Sequence, residues 1–432
     1  MRKALSVLTL AVAVSSLFAT DISLEGTVTI PQPGKDVWVT TIGGVDYAFV
    51  NAGREGVRKI RISDRTEVAT FIPPCGAVRD IWVKDTLIFV ANHGCADTIL
   101  YILDSNLNPI GKLTRTGSTH YFGEAITVSP DTQNVVFIAV QKGSEDMYLF
   151  VVDAKNPTNP RLTNCDEEAV THGFWTTAIY MGKVSVLDLA VVNIEKKPVG
   201  GNAILSECWD VDFDPWEEEF KYTRWMTCDP DTVDVFFIAA LLSDSDSSFI
   251  NIYAYDYFHV DARRPEQWGS CPSNGCGGGV YAAPFGYKCY SSTGYSPHTD
   301  TLQDHYAFST TSAYQMWAGS HAGTKYAFVA RGTEGLWIFP LYPSLGVSND
   351  IGDPIISGYK ASDADDYRDV YIYGDLIFLA NYGQAPGEKL CSVLNAAALE
   401  DSILEETASY NEYFGEGIWG DSLRVYVVGD SL

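Results

Sequence analysis

The sequence predicts an all-β fold, a single β-propeller of four-stranded blades, on three observations. The first is a repeated phrase. Leu149-Phe150-Val151-Val152-Asp153 has relatives at Leu100 to Asp104, Ile60 to Asp64 and Ile252 to Asp256, with weaker copies at Leu336 to Pro340 and Ser392 to Asn395. The second is a longer phrase that precedes some of these copies. Asp80-Ile81-Trp82-Val83 leads into Leu87 to Asn92, and Asp369-Val370-Tyr371-Ile372 leads into Leu376 to Asn381. Short apolar strands repeating at about 40 to 50 residues are the signature of a propeller. The third is the pair of chain ends, each holding part of one blade.

Within each repeat the elements follow in order. The first, inner strand opens on an acidic residue followed by apolar or aromatic residues. The second is the strongest apolar run: Tyr47 to Val50, Leu87 to Ala91, Val135 to Val140, Val235 to Ala240, Tyr326 to Ala330, Leu376 to Ala380 and Val425 to Val428. Continuous apolar runs imply strands covered on both faces, as stacked blades require. The third strand is the Leu-Val-Val-Asp phrase. The fourth follows a polar turn such as Asn156-Pro157-Thr158-Asn159-Pro160, where Pro and Asn set the turn geometry. Inner strands counted this way begin near residues 36, 80, 124, 174, 223, 315, 369 and 416. That favours eight blades, with seven as the alternative. Glu416 to Trp419 and Arg424 to Val428 supply two strands of the last blade, and Ile22 to Thr29 reads as its outer strand. Pairing the ends closes the ring and removes its exposed edges.

Residues 1–20 read as a signal peptide: Arg2 and Lys3, then an apolar run from Ala4 to Phe18, too short to span a bilayer. Residues 21–432 form the propeller. The chain carries 29 Lys and Arg against 55 Asp and Glu, a formal net charge of −26. That surface repels nucleic acid and anionic membranes. The apolar pattern contains no membrane span after leader removal. The expected location is secreted, periplasmic or cell-surface.

Nine cysteines in an exported chain imply disulfides with one thiol left over. Cys271 and Cys276 are close enough in sequence to close a small loop. Cys75/Cys95 and Cys208/Cys228 each flank an inner strand and are further candidates. The blade between Asp256 and Leu336 carries an insertion at about 272–313. It contains Tyr281, Phe285, Tyr287, Tyr290 and Tyr295, and so many aromatics point to an ordered loop able to bind a partner. The insertion is expected in the connection from one blade's outer strand to the next inner strand, on the face where the acidic residues lie.

Those acidic residues are Asp36, Asp80, Glu124, Asp369 and Glu416, each opening an inner strand. Equivalent positions in a propeller ring the central channel. Five carboxylates there would either hold a divalent cation such as Ca²⁺ or be neutralised by backbone amides and by arginines such as Arg79 and Arg368. Asp210, Asp212 and Asp214 alternate along a strand, which places them on one solvated face. The chain has no HExxH pair, no GxSxG elbow and no phosphate loop opening a helix, so no catalytic residue is assigned. Tryptophans such as Trp38, Trp82 and Trp419 are expected to pack between blades.

The repeated phrases resemble the LVIVD-repeat family of exported bacterial and archaeal propellers, through Leu149 to Asp153 with the following Asn-Pro turns and Leu100 to Asp104. Pro340 and Asn395 depart from the family's Asp. The resemblance implies a propeller at or outside the cell envelope and no established activity. The function expected is a non-enzymatic binding or scaffold module with an extracellular or envelope protein or a glycan as partner. The alternative is a propeller hydrolase or lactonase with a divalent cation in the central channel.

Overall fold

A computed structural model describes residues 6–13, 22–31, 34–94, 98–114, 120–131, 134–143, 146–162, 178–198, 204–214, 219–228, 232–257, 266–272, 288–290, 301–344, 350–382, 389–411, 414–422 and 424–430. The fold is a single β-propeller. The first sheet comprises Asp36–Ile42, Val45–Asn51, Val57–Arg61 and Thr66–Phe71 in sequence order. The second runs through Ala77–Lys84, Leu87–His93, Thr98–Leu103 and Pro109–Thr114. The third opens on Tyr121–Val128, Val135–Lys142 and Asp146–Asp153 and is five-stranded. The fourth comprises Ser185–Pro198, Thr232–Ser243, Ser248–Tyr257 and Thr301–Ala307. The fifth opens on Gln315–His321 and Thr324–Ala330, and the sixth on Tyr367–Tyr373 and Leu376–Asn381. The closing sheet contains Phe414–Gly420 and Arg424–Asp430.

Each inner strand contacts the next around the ring, and Phe414–Gly420 returns to Asp36–Ile42. The core is built mainly from the second strands. Phe49, Phe89, Phe137, Phe236, Phe328 and Phe378 are fully buried between sheets. Burying each contributes about 1.5–3 kcal/mol.

Eight four-stranded blades, or seven, were the sequence expectation, and both counts are corrected. The ring has six four-stranded blades, and its third sheet is five-stranded. The strand expected near 223 causes the overcount. Glu219–Cys228 carries the acid-then-aromatic pattern of an inner strand, but it pairs outside the ring. Residues 199–231 leave between the first and second strands of the fourth blade, and residues 258–300 leave between its third and fourth. The strands Ile204–Asp214, Glu219–Cys228, Glu266–Pro272 and Lys288–Tyr290 from these two excursions pair into a side sheet. The inner strand expected near 174 is Ser185–Pro198.

The chain ends close the ring as expected, with one strand more than the sequence reading supplied. Ile22–Ile30 is the outer strand of the closing blade, but it does not pair with Arg424–Asp430 directly. Ser6–Ala13 lies between them, antiparallel to both. Among the described residues, no helix is long and apolar enough to cross a membrane.

Candidate functional site at the channel mouth

First strands begin and second strands end on one face of the ring. The five expected acidic positions divide here into two sets, and β-bulges are the reason. The ladders skip a residue at Val78/Asp80, Gly123/Ala125, Val186/Asp188, Tyr367/Asp369 and Gly415/Gly417. The skipped residues are Arg79, Glu124, Leu187, Arg368 and Glu416. Glu124 and Glu416 are therefore equivalent to the arginines, not to Asp80 and Asp369. A bulge adds one residue and re-aims its side chain.

Asp80, Asp188 and Asp369 share one construction. Each accepts the backbone N–H of the following residue and one from the neighbouring inner strand. Asp80 takes Ile81 at 2.7 Å and Ile126 at 2.8 Å. Asp188 takes Leu189 at 2.7 Å and Met316 at 2.9 Å. Asp369 takes Val370 and Ile418, both at 2.7 Å. These carboxylates clamp adjacent sheets together. Asp36 keeps the local bond to Val37 at 2.7 Å, but its other oxygen accepts the Trp38 indole N–H at 3.0 Å.

Burial pushes Asp36 up to about 6 against its hydrogen bonds. Burial, then repulsion from Asp188 and Asp36, holds Asp80 well above the usual carboxylate range. Asp188 and Asp369 are raised likewise, first by burial, with Asp36 among the repelling charges on both. Like charges around one channel disfavour joint ionisation. Asp188 is a site residue that the sequence reading missed. Its signal was present: Val186-Leu187-Asp188-Leu189 matches Val78-Arg79-Asp80-Ile81.

Ca²⁺ takes six to eight oxygens converging on one point. The oxygens of Asp80, Asp188 and Asp369 are already directed at backbone N–H groups. Among the described residues, no three His, Cys, Asp or Glu side chains form a metal-binding group.

The bulge residues build the mouth above these clamps. Glu124 receives Arg79 Nε at 2.9 Å, and its other oxygen lies against His93 Nδ1. The His93 ring stacks on Phe122 with centroids 4.8 Å apart. Between the fifth and sixth blades, the Arg368 guanidinium lies 3.9 Å from the Tyr314 ring centroid and 4.8 Å from that of Tyr382. Arg368 also bonds Asp366 at 2.9 Å. Tyr314 is 36 % exposed, so this arginine supports an aromatic ring that faces solvent. Gly332, at φ +54°, approaches closely enough that a Cβ would stand 2.6 Å from the Tyr314 ring. Further down the channel, Trp38 and Trp82 meet at 4.7 Å and Tyr371 and Trp419 at 5.4 Å, the packing expected of these tryptophans.

The expected insertion does not share this mouth. It leaves between the third and fourth strands of the fourth blade, from Tyr257 to Thr301, on the opposite face. Tyr281, Phe285, Tyr287 and Tyr295 lie outside the described residues, and Tyr290 ends the strand Lys288–Tyr290. Cys75 is disulfide-bonded, while Cys95 lies outside the described residues. The ladder sets Cys208 opposite Cys289 and Cys228 opposite Ile204. Cys271 is opposite Phe220, and Cys276 lies outside the described residues.

No family model matches the sequence, and no curated protein matches it. Solved propellers are similar in fold at low identity. The β-propeller domain of Cps50 (Swd1) from Myceliophteria thermophila has a TM-score of 0.48 and 8 % identity, covering 91 % of this chain and 96 % of its own. The WD40 domain of Neurospora crassa Pan2 gives 0.44 and 9 %, covering 92 % and 89 %. BamB from Moraxella catarrhalis gives 0.38 and 8 %, covering 85 % and 92 %. The propeller assignment rests on the sheet order of this chain.

Proposed function

We propose that this chain is an exported propeller of the LVIVD type, acting as a non-enzymatic binding or scaffold module in the periplasm or at the cell surface. Its partner is an envelope or extracellular protein or a glycan. The observation that carries this reading is the Tyr314–Arg368–Tyr382 stack on a rim held rigid by the aspartate clamps. Tyrosine and arginine fixed in place offer contact area at little ordering cost, which is the composition of binding hot spots. The leader-like residues 1–20 and the disulfide at Cys75 support export.

The test places a photoreactive benzoylphenylalanine at position 314 and, separately, at Tyr342, an exposed residue on the opposite face. After irradiation with the source cells' envelope fraction, position 314 should give a discrete cross-linked species and position 342 none. Digestion of that species by protease or by glycosidase assigns the partner's class. Cross-linking from position 342 alone would move the binding face and refute the assignment.

A further inference from the structure

The closing blade is built with a strand that the export reading removes. Ser6–Ala13 pairs with Arg424–Asp430 from Ser6 opposite Asp430 to Val12 opposite Arg424. On its other side it pairs with Ile22–Ile30 from Ser6 opposite Ile30 to Ala13 opposite Ile22. Leader cleavage would take this strand out of the middle of a sheet. Two rows of backbone N–H and C=O groups would then face each other across an empty strand position, one on each side.

The neighbours do not simply close up. Adjacent strands lie about 4.8 Å apart, so Ile22–Ile30 would have to shift by about that distance to reach Arg424–Asp430. Two contacts oppose the shift. Arg65 of the first blade donates from Nη2 to the Glu25 carbonyl at 2.5 Å, and its guanidinium lies over Gly26, where a Cβ would meet it at 2.3 Å. Ile30 is 1 % exposed and shares a buried cluster with Val37, Ala48 and Val50 of the first blade. The outer strand is therefore anchored to the first blade independently of the strand between them.

We propose that in the processed chain this gap is a receptor for an extended apolar strand of a partner protein, bound by strand addition. The inference rests on the export reading. Ser6–Ala13 shows what such a strand looks like: eight residues, Ser-Val-Leu-Thr-Leu-Ala-Val-Ala, antiparallel to both walls. Main-chain bonds on two sides give affinity, and alternate side chains give selection for apolar residues. An unfilled position would leave edges prone to unwanted pairing, which is the physical pressure for an occupant.

The test uses the full chain with a protease site introduced within residues 14–20 and cut after folding. A fluorescent peptide of the sequence of residues 6–13 is then added. The expected result is one-to-one uptake as the cut segment leaves, with the alternate amides of Val425 to Val428 that face the gap remaining protected from hydrogen exchange only while peptide is bound. A peptide carrying Leu8→Lys and Leu10→Lys should bind at least tenfold more weakly. Loss of the segment with no uptake, and with those amides still protected, would mean that the outer strand has closed the gap and would overturn the proposal. Conversion of the cut protein to a dimer would also overturn it, placing a second copy there. N-terminal sequencing of the exported protein separates the two readings. An intact leader refutes processing, whereas peptide uptake by the cut chain reports on the receptor alone.

Discussion

The Asp80 carboxylate, on the inner strand of the second blade, accepts the backbone N–H of Ile126 in the third sheet at 2.8 Å. One side chain thereby joins two sheets that share no ladder. The same joint recurs from Asp188 to Met316 and from Asp369 to Ile418.

Replacing Asp80 with Ala removes the acceptor for two amides, those of Ile81 and Ile126. A buried donor left unsatisfied costs about 1–3 kcal/mol, so Asp80→Ala should lose about 2–6 kcal/mol in total. Urea denaturation should show this as a lower midpoint with an unchanged slope. A shift within about 0.5 kcal/mol of wild type would show that the clamp carries no stability.

The raised aspartates give stability a defined pH dependence. Their folded-state values lie above the unfolded reference of about 3.9, so the folded state binds more protons. Their contribution is fully present below that reference. It is lost as pH rises through the folded value, which is about 6 for Asp36. The urea midpoint of wild type should therefore contain a component that falls between about pH 4 and pH 6. In Asp36→Asn that component should shrink, and superimposable pH profiles would rule Asp36 out as its source.

Gly417 closes the seam between the last inner strand and the first. A Cβ there would stand 2.8 Å from both the Asp36 Cα and the Lys35 carbonyl oxygen. Both are main-chain atoms and cannot rotate away. Gly417→Ala should cost about 1–3 kcal/mol by overpacking, read as a lowered thermal midpoint. A crystal structure of the variant should show the first blade displaced at Lys35 and Asp36. An unmoved seam at wild-type stability would contradict the close approach.

The side sheet should be dispensable to the ring. Pro198 and Thr232, which flank the first excursion, are direct ladder partners, as are Ala254 and Thr301 around the second. Replacing residues 199–231 and 258–300 with short turns should leave a folded propeller with native near-ultraviolet dichroism. Aggregation or loss of the cooperative transition would show that the side sheet completes the core.

The strands were legible because each blade writes its second strand as an unbroken apolar run and its third as the Leu-Val-Val-Asp phrase. Strand partnership was not. Glu219–Cys228 has the composition of an inner strand, and only its pairing with Ile204–Asp214 and Glu266–Pro272 places it outside the ring. The acidic positions were legible as a set but not in phase. A bulge adds one residue without changing composition, so Glu124 read as equivalent to Asp80 while in space it faces Arg79. Asp188 was missed because its blade was assigned to the wrong inner strand. The Tyr314–Arg368–Tyr382 stack joins residues from two blades and three segments, which no local pattern reveals.

The most direct measurement is affinity capture from the source cells' envelope fraction with two paired variants. One carries Tyr314→Ala and Arg368→Ala at the channel mouth. The other carries Tyr342→Ala and Tyr373→Ala, both exposed on the opposite face. Folding of each is checked by its urea midpoint, and captured species are compared by mass spectrometry. If the mouth is the binding surface, the first variant loses the species that wild type retains and the second keeps it. Retention by the mouth variant, with loss from the opposite-face variant, would contradict the account.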